Sequence, residues 1–393
     1  MTRFDRGPLG AESELARVTQ PVRKSRTRRF APLALLVGAL AALSACAGEN
    51  GQNGLKPRGE NADVIWSVTS FIGIAAIVVA VLVGIAVVFI IFRFRSTPET
   101  YDDLPGQIHG NSVAEIGWTV VPLVFLIIVA VVSVPKVFAL ADQDETDMTI
   151  LVEGQQWWWQ FSYDLDNDGT YDIVTSNDIV FPADQQINLR ITSNDVIHSF
   201  WVPELNGKKD AVPGRVHDWK IHAHEPGVYG GLCAEYCGLS HADMRLTAVA
   251  LDEADWNEWL ARQTPDQVAL EGDTPEARGY QLFGQFCSSC HVVNGVYESA
   301  YENEPPLLSG VAPNLTHLMS RTGFAGGIFD MYLEDGSLNQ ADLVAWVQDA
   351  PGRKPLRADN QQGMISFAEQ LNVDQVEDIV AYLQTLGDAP ILP

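Results

Sequence analysis

The sequence has few basic residues and few cysteines for its length. Only 25 of its 393 residues are Lys or Arg, against 50 Asp and Glu, and the formal net charge at pH 7 is −25. This excess of acidic residues argues against nucleic acid and anionic lipid as binding partners, because both are negatively charged. The five cysteines are Cys46, Cys233, Cys237, Cys287 and Cys290; the last four fall within two short motifs, so none remains for a structural disulfide.

The second motif, Cys287-Ser-Ser-Cys290-His291, has the pattern of covalent haem attachment. In this pattern the two thiols form thioether bonds to the haem, and the histidine that follows becomes an axial ligand of the iron. A redox dithiol or half of a zinc site would also use two cysteines at this spacing. The adjoining histidine and the lack of a second cysteine pair nearby disfavour both alternatives, so we predict a covalent haem c here.

The first motif places Cys233, Cys237, His241 and Met244 on one segment, which is a ligand set for two copper ions. A single-copper electron-transfer site uses one thiolate, so two thiolates four residues apart suggest a binuclear centre that they bridge. The second imidazole must come from elsewhere, and His198, at the end of a strand-like run, is the best candidate. Tetrahedral zinc is the alternative, but copper and not zinc makes use of the thioether of Met244.

With these motifs in place, residues 60–260 resemble subunit II of haem-copper cytochrome c oxidase, and residues 274–388 resemble a class I cytochrome c domain. The fusion is similar to the caa-type oxidases, whose subunit II carries its own cytochrome c. Beyond the copper motif, the resemblance rests on Gln156–Trp159, His198–Leu205 and Asp210–Arg215. It implies a multi-domain membrane protein with a two-helix transmembrane hairpin, an all-β cupredoxin Greek-key barrel and an all-α cytochrome c domain.

The same resemblance implies roles for five further residues. Trp157 corresponds to the aromatic through which electrons reach copper, the alternative being an interfacial aromatic at the membrane end of the barrel. Glu115 matches a proton-entry carboxylate, the alternative being a solvated charge at a helix end. Glu235 offers a carbonyl to one copper and a side chain within reach of a magnesium ion shared with subunit I. Asp210 and Arg215 lie on the loop where electrons leave towards subunit I.

Residues 1–45 have the pattern of a secretory signal peptide. Five basic residues between positions 23 and 29 are followed by an uncharged stretch that ends in small residues before Cys46. This arrangement resembles a lipoprotein signal and predicts that Cys46 becomes a lipidated N-terminus. An ordinary signal peptide and a third membrane helix are the alternatives.

Two segments within residues 46–140 are long and apolar enough to cross a bilayer, at about 64–92 and 116–137. A lipidated N-terminus lies outside the cell, and two spans return the chain to that side. We therefore predict a protein with two spans in a bacterial cell membrane, in contact with membrane lipid, whose copper and haem domains are extracytoplasmic.

The remainder of the chain divides into three parts. Residues 145–255 show strand-like runs with period two, separated by turn residues, which predict an antiparallel barrel or sandwich. Residues 256–273 begin with a short helix and continue as a polar segment, predicted to be a flexible linker that keeps the next domain at high effective concentration. In residues 274–388 apolar residues recur every three or four positions, a pattern that predicts a helical domain, and the resemblance implies a cytochrome c domain.

Haem needs a second axial ligand, and three methionines are candidates. Met364 lies in an irregular segment just before the last predicted helix, where the ligand of the family also lies. Met319 and Met331 lie on apolar stretches, where a methionine is more often part of the core. We predict Met364 as the ligand. Pro313 resembles the residue whose region orients His291 through the backbone.

Two further features stay open at this stage. Asp164-x-Asp166-x-Asp168-Gly169 matches the first half of a calcium loop, but it falls in a predicted hairpin and lacks the distal Glu. His217, His222 and His224 are predicted to be surface residues of strands.

The order of the two carriers predicts the function. Electrons from a donor such as a cytochrome bc complex or a small cytochrome enter at the haem, cross to copper near Trp157 and pass to subunit I. There, dioxygen is reduced to water in a reaction coupled to proton translocation. Two alternatives remain open: the copper subunit of a nitric-oxide reductase, and a free-standing membrane-anchored electron shuttle.

Overall fold

The structure is a computed structural model that describes residues 51–95, 106, 109–142, 146, 148–297, 312–355 and 363–393. The predicted signal peptide and the predicted lipidation of Cys46 lie outside these residues.

Two long helices form the membrane hairpin. Helix α1 spans Glu60–Arg93 and helix α2 spans Ser112–Ala141, so each contains one predicted span and extends beyond it. The side chain of Asn111 caps α2 by accepting hydrogen bonds from the backbone N–H groups of Val113 and Ala114. Apolar side chains are exposed on all faces of both helices, which is the pattern of a helix that lies in lipid.

The N-terminal end of α1 packs against the β domain. The backbone N–H of Glu60 donates to Nδ1 of His222 at 3.3 Å, and Nε2 of His224 lies 2.8 Å from a carboxylate oxygen of Asp63. His222 is therefore only 3% exposed, and the prediction that it is a surface residue is wrong, because the start of the membrane helix covers it. Since α2 ends at Ala141, just before the β domain begins, both outer ends of the hairpin lie on the side of that domain.

Ten strands form the β domain as two packed five-stranded sheets, in the orders β3-β2-β1-β5-β8 and β4-β10-β9-β6-β7. The strands are β1 (Thr149–Gln155), β2 (Trp158–Asp164), β3 (Ile173–Ser176), β4 (Asp178–Pro182), β5 (Ile187–Ser193), β6 (His198–Trp201), β7 (Lys209–Ala211), β8 (His217–Ile221), β9 (Gly227–Cys233) and β10 (Arg245–Leu251). The pairs β1–β5 and β4–β10 are parallel and the other strand pairs of the domain are antiparallel, so the predicted antiparallel pattern holds except at these two pairs. The chain passes to the other sheet and back between β1 and β5, and again between β4 and β10. A crossover of this kind lets the two strands it connects pair in parallel.

The C-terminal domain is helical, with one small β-hairpin of β11 (Gly323–Phe324) and β12 (Phe329–Asp330). Its helices, and the one that precedes it, are α3 (Glu253–Gln263), α4 (Pro275–Phe286), α5 (Gln340–Gln348), α6 (Ala350–Arg353) and α7 (Val373–Leu383). Helices α4 and α7 cross closely at Gly279. A Cβ at this position would lie 1.8 Å from the carbonyl oxygen of Asp378, so the crossing requires glycine. The guanidinium of Arg278 grips the Asp378 carboxylate with two hydrogen bonds of 2.8 Å.

The segment predicted as a short helix followed by a flexible linker, residues 256–273, contacts both the β domain and the cytochrome domain. Trp256 and Trp259 lie on α3, stack on each other and belong to the core of the β domain. Further along, Gln267 makes two hydrogen bonds with the cytochrome domain, to the carbonyl oxygens of Asn294 and Thr316. The short helix predicted at the start of this segment is thus anchored to the barrel by two tryptophans, and the polar segment after it contacts the cytochrome domain at Gln267.

Candidate copper and haem centres

Neighbouring strands bring the predicted copper ligands to one end of the β domain. His198 opens β6 and Cys233 closes β9, and these two strands pair with Phe200 opposite Cys233. The segment after β9 then carries Cys237 and a short 3-10 turn, His241–Asp243, before β10 starts. Local sequence and sheet pairing together place both cysteines next to both histidines.

The ligand atoms form a compact cluster. The sulfurs of Cys233 and Cys237 are 3.8 Å apart, and each faces one imidazole: His198 Nδ1 lies 4.0 Å from Cys233, and His241 Nδ1 lies 3.6 Å from Cys237. The sulfur of Met244 lies 3.8 Å from that of Cys237. Two thiolates between two imidazoles, with a thioether at one side, fit two bridged copper ions better than one tetrahedral zinc ion.

Asp195 holds the imidazole of His198. Its carboxylate lies 2.8 Å from Nε2, which leaves Nδ1 directed at Cys233. Burial raises the pKa of Asp195, but hydrogen bonds from His198 and from the N–H groups of Val196 and Gln156 outweigh it, so the pKa lies below its usual value. Burial lowers the pKa of His198, and its contacts with Asp195 and Cys233 raise it to a greater extent. Sequence reasoning missed Asp195, although its spacing of three residues from His198 was a signal.

The sulfurs of Cys233 and Cys237 are in hydrogen-bonding contact. This contact lowers the pKa of Cys233 to about 4 against the effect of burial, while the same contact and burial raise the pKa of Cys237. Cys233 is therefore readily deprotonated, and the thiolate is the form of cysteine that binds metal ions.

The other residues predicted near copper lie at different distances from the cluster. The carbonyl oxygen of Glu235 is 3.2 Å from the sulfur of Cys233, while its side chain is exposed and accepts from the N–H of Tyr236. Asp210 pairs with Ser199, the neighbour of His198, and is exposed, as is Arg215. Glu115 lies in the first turn of α2, about 40 Å along that helix from the β domain.

A cavity of about 540 Å³ between the helical domain and the β domain is lined by Cys287, Cys290, His291 and Met364 on its helical side. Nδ1 of His291 donates to the carbonyl oxygen of Pro313 at 2.8 Å, which leaves Nε2 for a ligand. Burial lowers the pKa of His291, which favours the neutral imidazole that binds iron. The other two candidate methionines, Met319 and Met331, are buried in the hydrophobic core of the domain.

Trp157 lies between the two centres. It lines the haem-sized cavity, and its indole N–H donates to the carbonyl oxygen of Cys237 at 3.2 Å. The side-chain amide of Gln156 donates to the same oxygen. Trp157 is 3% exposed, which does not fit an aromatic at the surface of a membrane.

Lys354 joins the two domains at the same place. Its ammonium group, on the chain just after α6, donates to three backbone carbonyl oxygens: Trp157 at 2.7 Å, Asp243 at 3.1 Å and Ala325 at 2.9 Å. Gly326 packs against this arrangement with φ of +81°, and a Cβ there would lie 2.8 Å from the carbonyl oxygens of Asp243 and Trp157. No sequence motif marked Lys354, because its partners are backbone groups far away in the sequence.

A second set of contacts joins Asp178, at the start of β4, to the cytochrome domain. Its carboxylate accepts hydrogen bonds from the backbone N–H and the hydroxyl of Thr322. Burial raises the pKa of Asp178 to about 6 despite these bonds. The adjacent Arg321 lines the cavity, donates to the carbonyl oxygen of Asn314, and has an Nε without a partner among the described residues. Burial lowers the pKa of Arg321 to about 10, so it is a cation at neutral pH.

Three family models match successive parts of the chain. Residues 56–135 match the transmembrane domain of cytochrome c oxidase subunit II, residues 148–251 match its periplasmic domain, and residues 276–387 match cytochrome c. These matches imply a copper site in the β domain, a haem in the helical domain, and a membrane-anchored protein with extracytoplasmic domains.

Relatives named cytochrome c oxidase subunit 2 match over most of the chain. The protein from Alkalihalophilus pseudofirmus is 32% identical over 91% of this chain and 96% of its own length, and that from Bacillus sp. strain PS3 is 30% identical over 89% and 96%. The protein from Bacillus subtilis is 29% identical over 82% and 90%. These names favour neither a nitric-oxide reductase nor a free-standing shuttle. The chain belongs to the cytochrome c oxidase subunit II family and carries a cytochrome c domain of its own, so it is the electron-entry subunit of an oxidase that it forms with subunit I and other subunits.

Proposed function

We propose that electrons pass from a haem c in the helical domain, through the contact at Trp157, to a binuclear copper centre in the β domain. When bound, the iron and the copper pair each accept and release single electrons, which is the chemistry this path requires. The observation that carries the proposal is the position of Trp157, which lines the cavity and donates to the carbonyl oxygen of Cys237. The proposed copper ligands are His198, Cys233, the carbonyl of Glu235, Cys237, His241 and Met244.

The side chains around copper hold the ligand atoms in place. Cys233 and Cys237 supply two sulfurs, and Asp195 fixes the tautomer of His198 so that Nδ1 faces the metals. Gln156 and Trp157 both donate to the carbonyl oxygen of Cys237, which restrains the segment between the two cysteines. This preorganisation limits the movement of the ligands when the charge of the centre changes.

The haem would be held covalently by Cys287 and Cys290, with His291 and Met364 as its axial ligands. The hydrogen bond from His291 to Pro313 orients the imidazole and increases its basicity. The guanidinium of Arg321 would contact the negatively charged propionates, since its Nε lacks another partner among the described residues.

Other residues would act where the chain meets its partners. Asp210, which pairs with the neighbour of His198, and Arg215 are both exposed and would face subunit I, where electrons leave. The side chain of Glu235 would reach a magnesium ion at that interface, and Glu115 would serve as a proton-entry carboxylate on the opposite side of the membrane. The chain would lie in a bacterial cell membrane, contact its lipid, and accept electrons from a cytochrome bc complex or a small cytochrome.

Flash reduction of the haem in the assembled oxidase, followed by the absorbance of both centres, tests the path. Trp157→Ala should slow copper reduction without changing the spectrum of either centre, since it removes the indole that lines the cavity and donates to the carbonyl oxygen of Cys237. Trp219→Ala is the matched control, because the indole of Trp219, on edge strand β8 of the sheet that contains β1 and β2, also donates to a backbone carbonyl, that of Gly207 at 3.1 Å. A Trp157→Ala rate equal to the wild-type rate would refute this path.

A further inference from the structure

The hairpin between β2 and β3 contains four aspartates and a glycine at the spacing of a cation-binding loop. Counted from Asp164 as position 1, Asp166 is at position 3, Asp168 at 5, Gly169 at 6 and Asp172 at 9. These are positions at which a calcium loop places oxygen ligands and its turn glycine. Gly169 has φ of +89°, which the turn requires and glycine adopts without strain.

The carboxylates converge. Ligand oxygens of Asp164, Asp166 and Asp168 all lie within 4.8 Å of one another. Oxygens that coordinate one calcium ion at 2.3–2.6 Å are necessarily within about 5 Å of each other, so this separation is that of a coordination sphere. Three negative charges at such a distance repel one another unless a cation lies between them.

Asp164 gives an independent indication of a ligand. The residue is only 8% exposed, although it belongs to an acidic hairpin at the edge of the domain. Its Oδ2 accepts from the backbone N–H of Gly169 at 3.0 Å, but its Oδ1 is buried without a hydrogen-bond partner among the described residues. A buried carboxylate oxygen without a partner is strongly destabilising, and a bound cation would satisfy it.

The remaining contacts of the hairpin are compatible with this role. Asp166 accepts from the N–H of Asp168, and Asp168 accepts from the N–H of Thr170, each through Oδ1. Asp172 accepts from the N–H of Leu165 through Oδ2, which folds position 9 back towards position 1. Each of these bonds involves one oxygen and shapes the loop, and each carboxylate has a second oxygen to offer a cation.

We propose that the hairpin Asp164–Asp172 binds one calcium ion through the carboxylates of Asp164, Asp166, Asp168 and Asp172. A site made only of oxygen ligands suits hard cations rather than copper or zinc, and a flexible hairpin suits calcium better than the smaller magnesium. The missing Glu at position 12 is no obstacle, because that position is Thr175, within β3, and Asp172 supplies the fourth carboxylate.

The site is separate from the electron path. Strand β2 runs from Trp158, beside Trp157, to Asp164, so the hairpin lies roughly 20 Å from the copper end of that strand. Calcium there would join the ends of β2 and β3 and would not touch either redox centre. Its loss should therefore lower the stability of the β domain and leave both spectra intact.

Equilibrium dialysis of the chelator-treated oxidase against calcium alone tests the proposal. We expect the wild type to bind one more calcium ion per chain than Asp166→Asn/Asp168→Asn, with a Kd on the order of 10⁻⁴ to 10⁻³ M, as in extracellular modules. Asp218→Asn, which removes an exposed charge on β8, is the matched control and should bind as the wild type does. Haem and copper spectra confirm that each variant is folded.

Three results would overturn the proposal. One is equal calcium stoichiometry in the wild type and the double variant. Another is magnesium binding as tight as calcium binding. The third is an equal loss of affinity in Asp218→Asn, which would indicate a general effect of acidic surface charge.

Discussion

Replacing Lys354 by Met should separate the haem domain from the copper domain without unfolding either. Methionine keeps the length and much of the apolar volume of the lysine side chain but removes its charge and its three donors. The carbonyl oxygens of Trp157, Asp243 and Ala325 would then lose a shared partner, and two of these residues belong to the β domain.

The three bonds give the expected magnitude. A hydrogen bond to a charged group contributes roughly 1.5–3 kcal/mol, and burial of the ammonium group of Lys354 costs several kcal/mol in return. The net loss of docking free energy is then about 2–4 kcal/mol, which lowers the ratio of docked to undocked domain roughly 30- to 1000-fold.

Flash reduction of the haem measures the consequence. The rate of copper reduction is the intrinsic rate multiplied by the docked fraction, which falls steeply once the ratio of docked to undocked domain drops below one, so we expect Lys354→Met to slow copper reduction. Arg353→Met is the matched control: this adjacent exposed cation makes a 3.5 Å ion pair with Asp342 and lies 5.8 Å from the ring centroid of Phe329, and both partners belong to the haem domain. If Lys354→Met transfers electrons at the wild-type rate, Lys354 does not position the haem domain.

Three further predictions concern single groups. Burial raises the pKa of Asp178 from 3.8 to about 6 in the folded protein. The protonated carboxyl therefore stabilises the fold fully below pH 4, and this contribution, about 3 kcal/mol at most, is lost as the pH rises through 6. Thermal unfolding should show this pH dependence of stability in the wild type and not in Asp178→Asn. Cys237→Ser should abolish the mixed-valence copper signal in electron paramagnetic resonance while the haem stays bound. Met364→Ala should lower the haem potential in a redox titration, whereas Met319→Ala should not, because a methionine ligand raises the potential.

The centres could be predicted where their residues are close together in the sequence. Cys233, Cys237, His241 and Met244 fall within twelve residues, and the structure brings their ligand atoms together as the spacing predicted. His198 was predicted from its place at the end of a strand-like run; it instead begins β6, and the pairing of β6 with β9 brings it next to Cys233. Short-range motifs are readable because the chain itself limits the distance between their members.

The contacts between domains could not be predicted in this way. Lys354 and Thr322 contact residues more than 100 positions away, and most of their partners are backbone atoms that carry no sequence signature. The contacts of the predicted linker segment are of the same kind: Gln267 donates to the carbonyl oxygens of Asn294 and Thr316, which no sequence pattern marks. His222 was misjudged because the helix that buries it starts 162 residues earlier.

The docked arrangement changes what limits electron transfer between the domains. A haem domain on a flexible linker would search for copper at an effective concentration set by linker length. Here Gln267, Lys354 and Thr322 make specific contacts on different sides of the haem domain, so the position of the haem relative to Trp157 is set by packing. The buried bonds of Lys354 and Asp178 are poorly screened by salt, in contrast to the exposed charges that steer soluble cytochromes. An upstream donor must therefore approach a face of the haem domain that the barrel leaves open. Ionic strength should change the rate at which this donor binds, and not the rate of electron transfer from haem to copper.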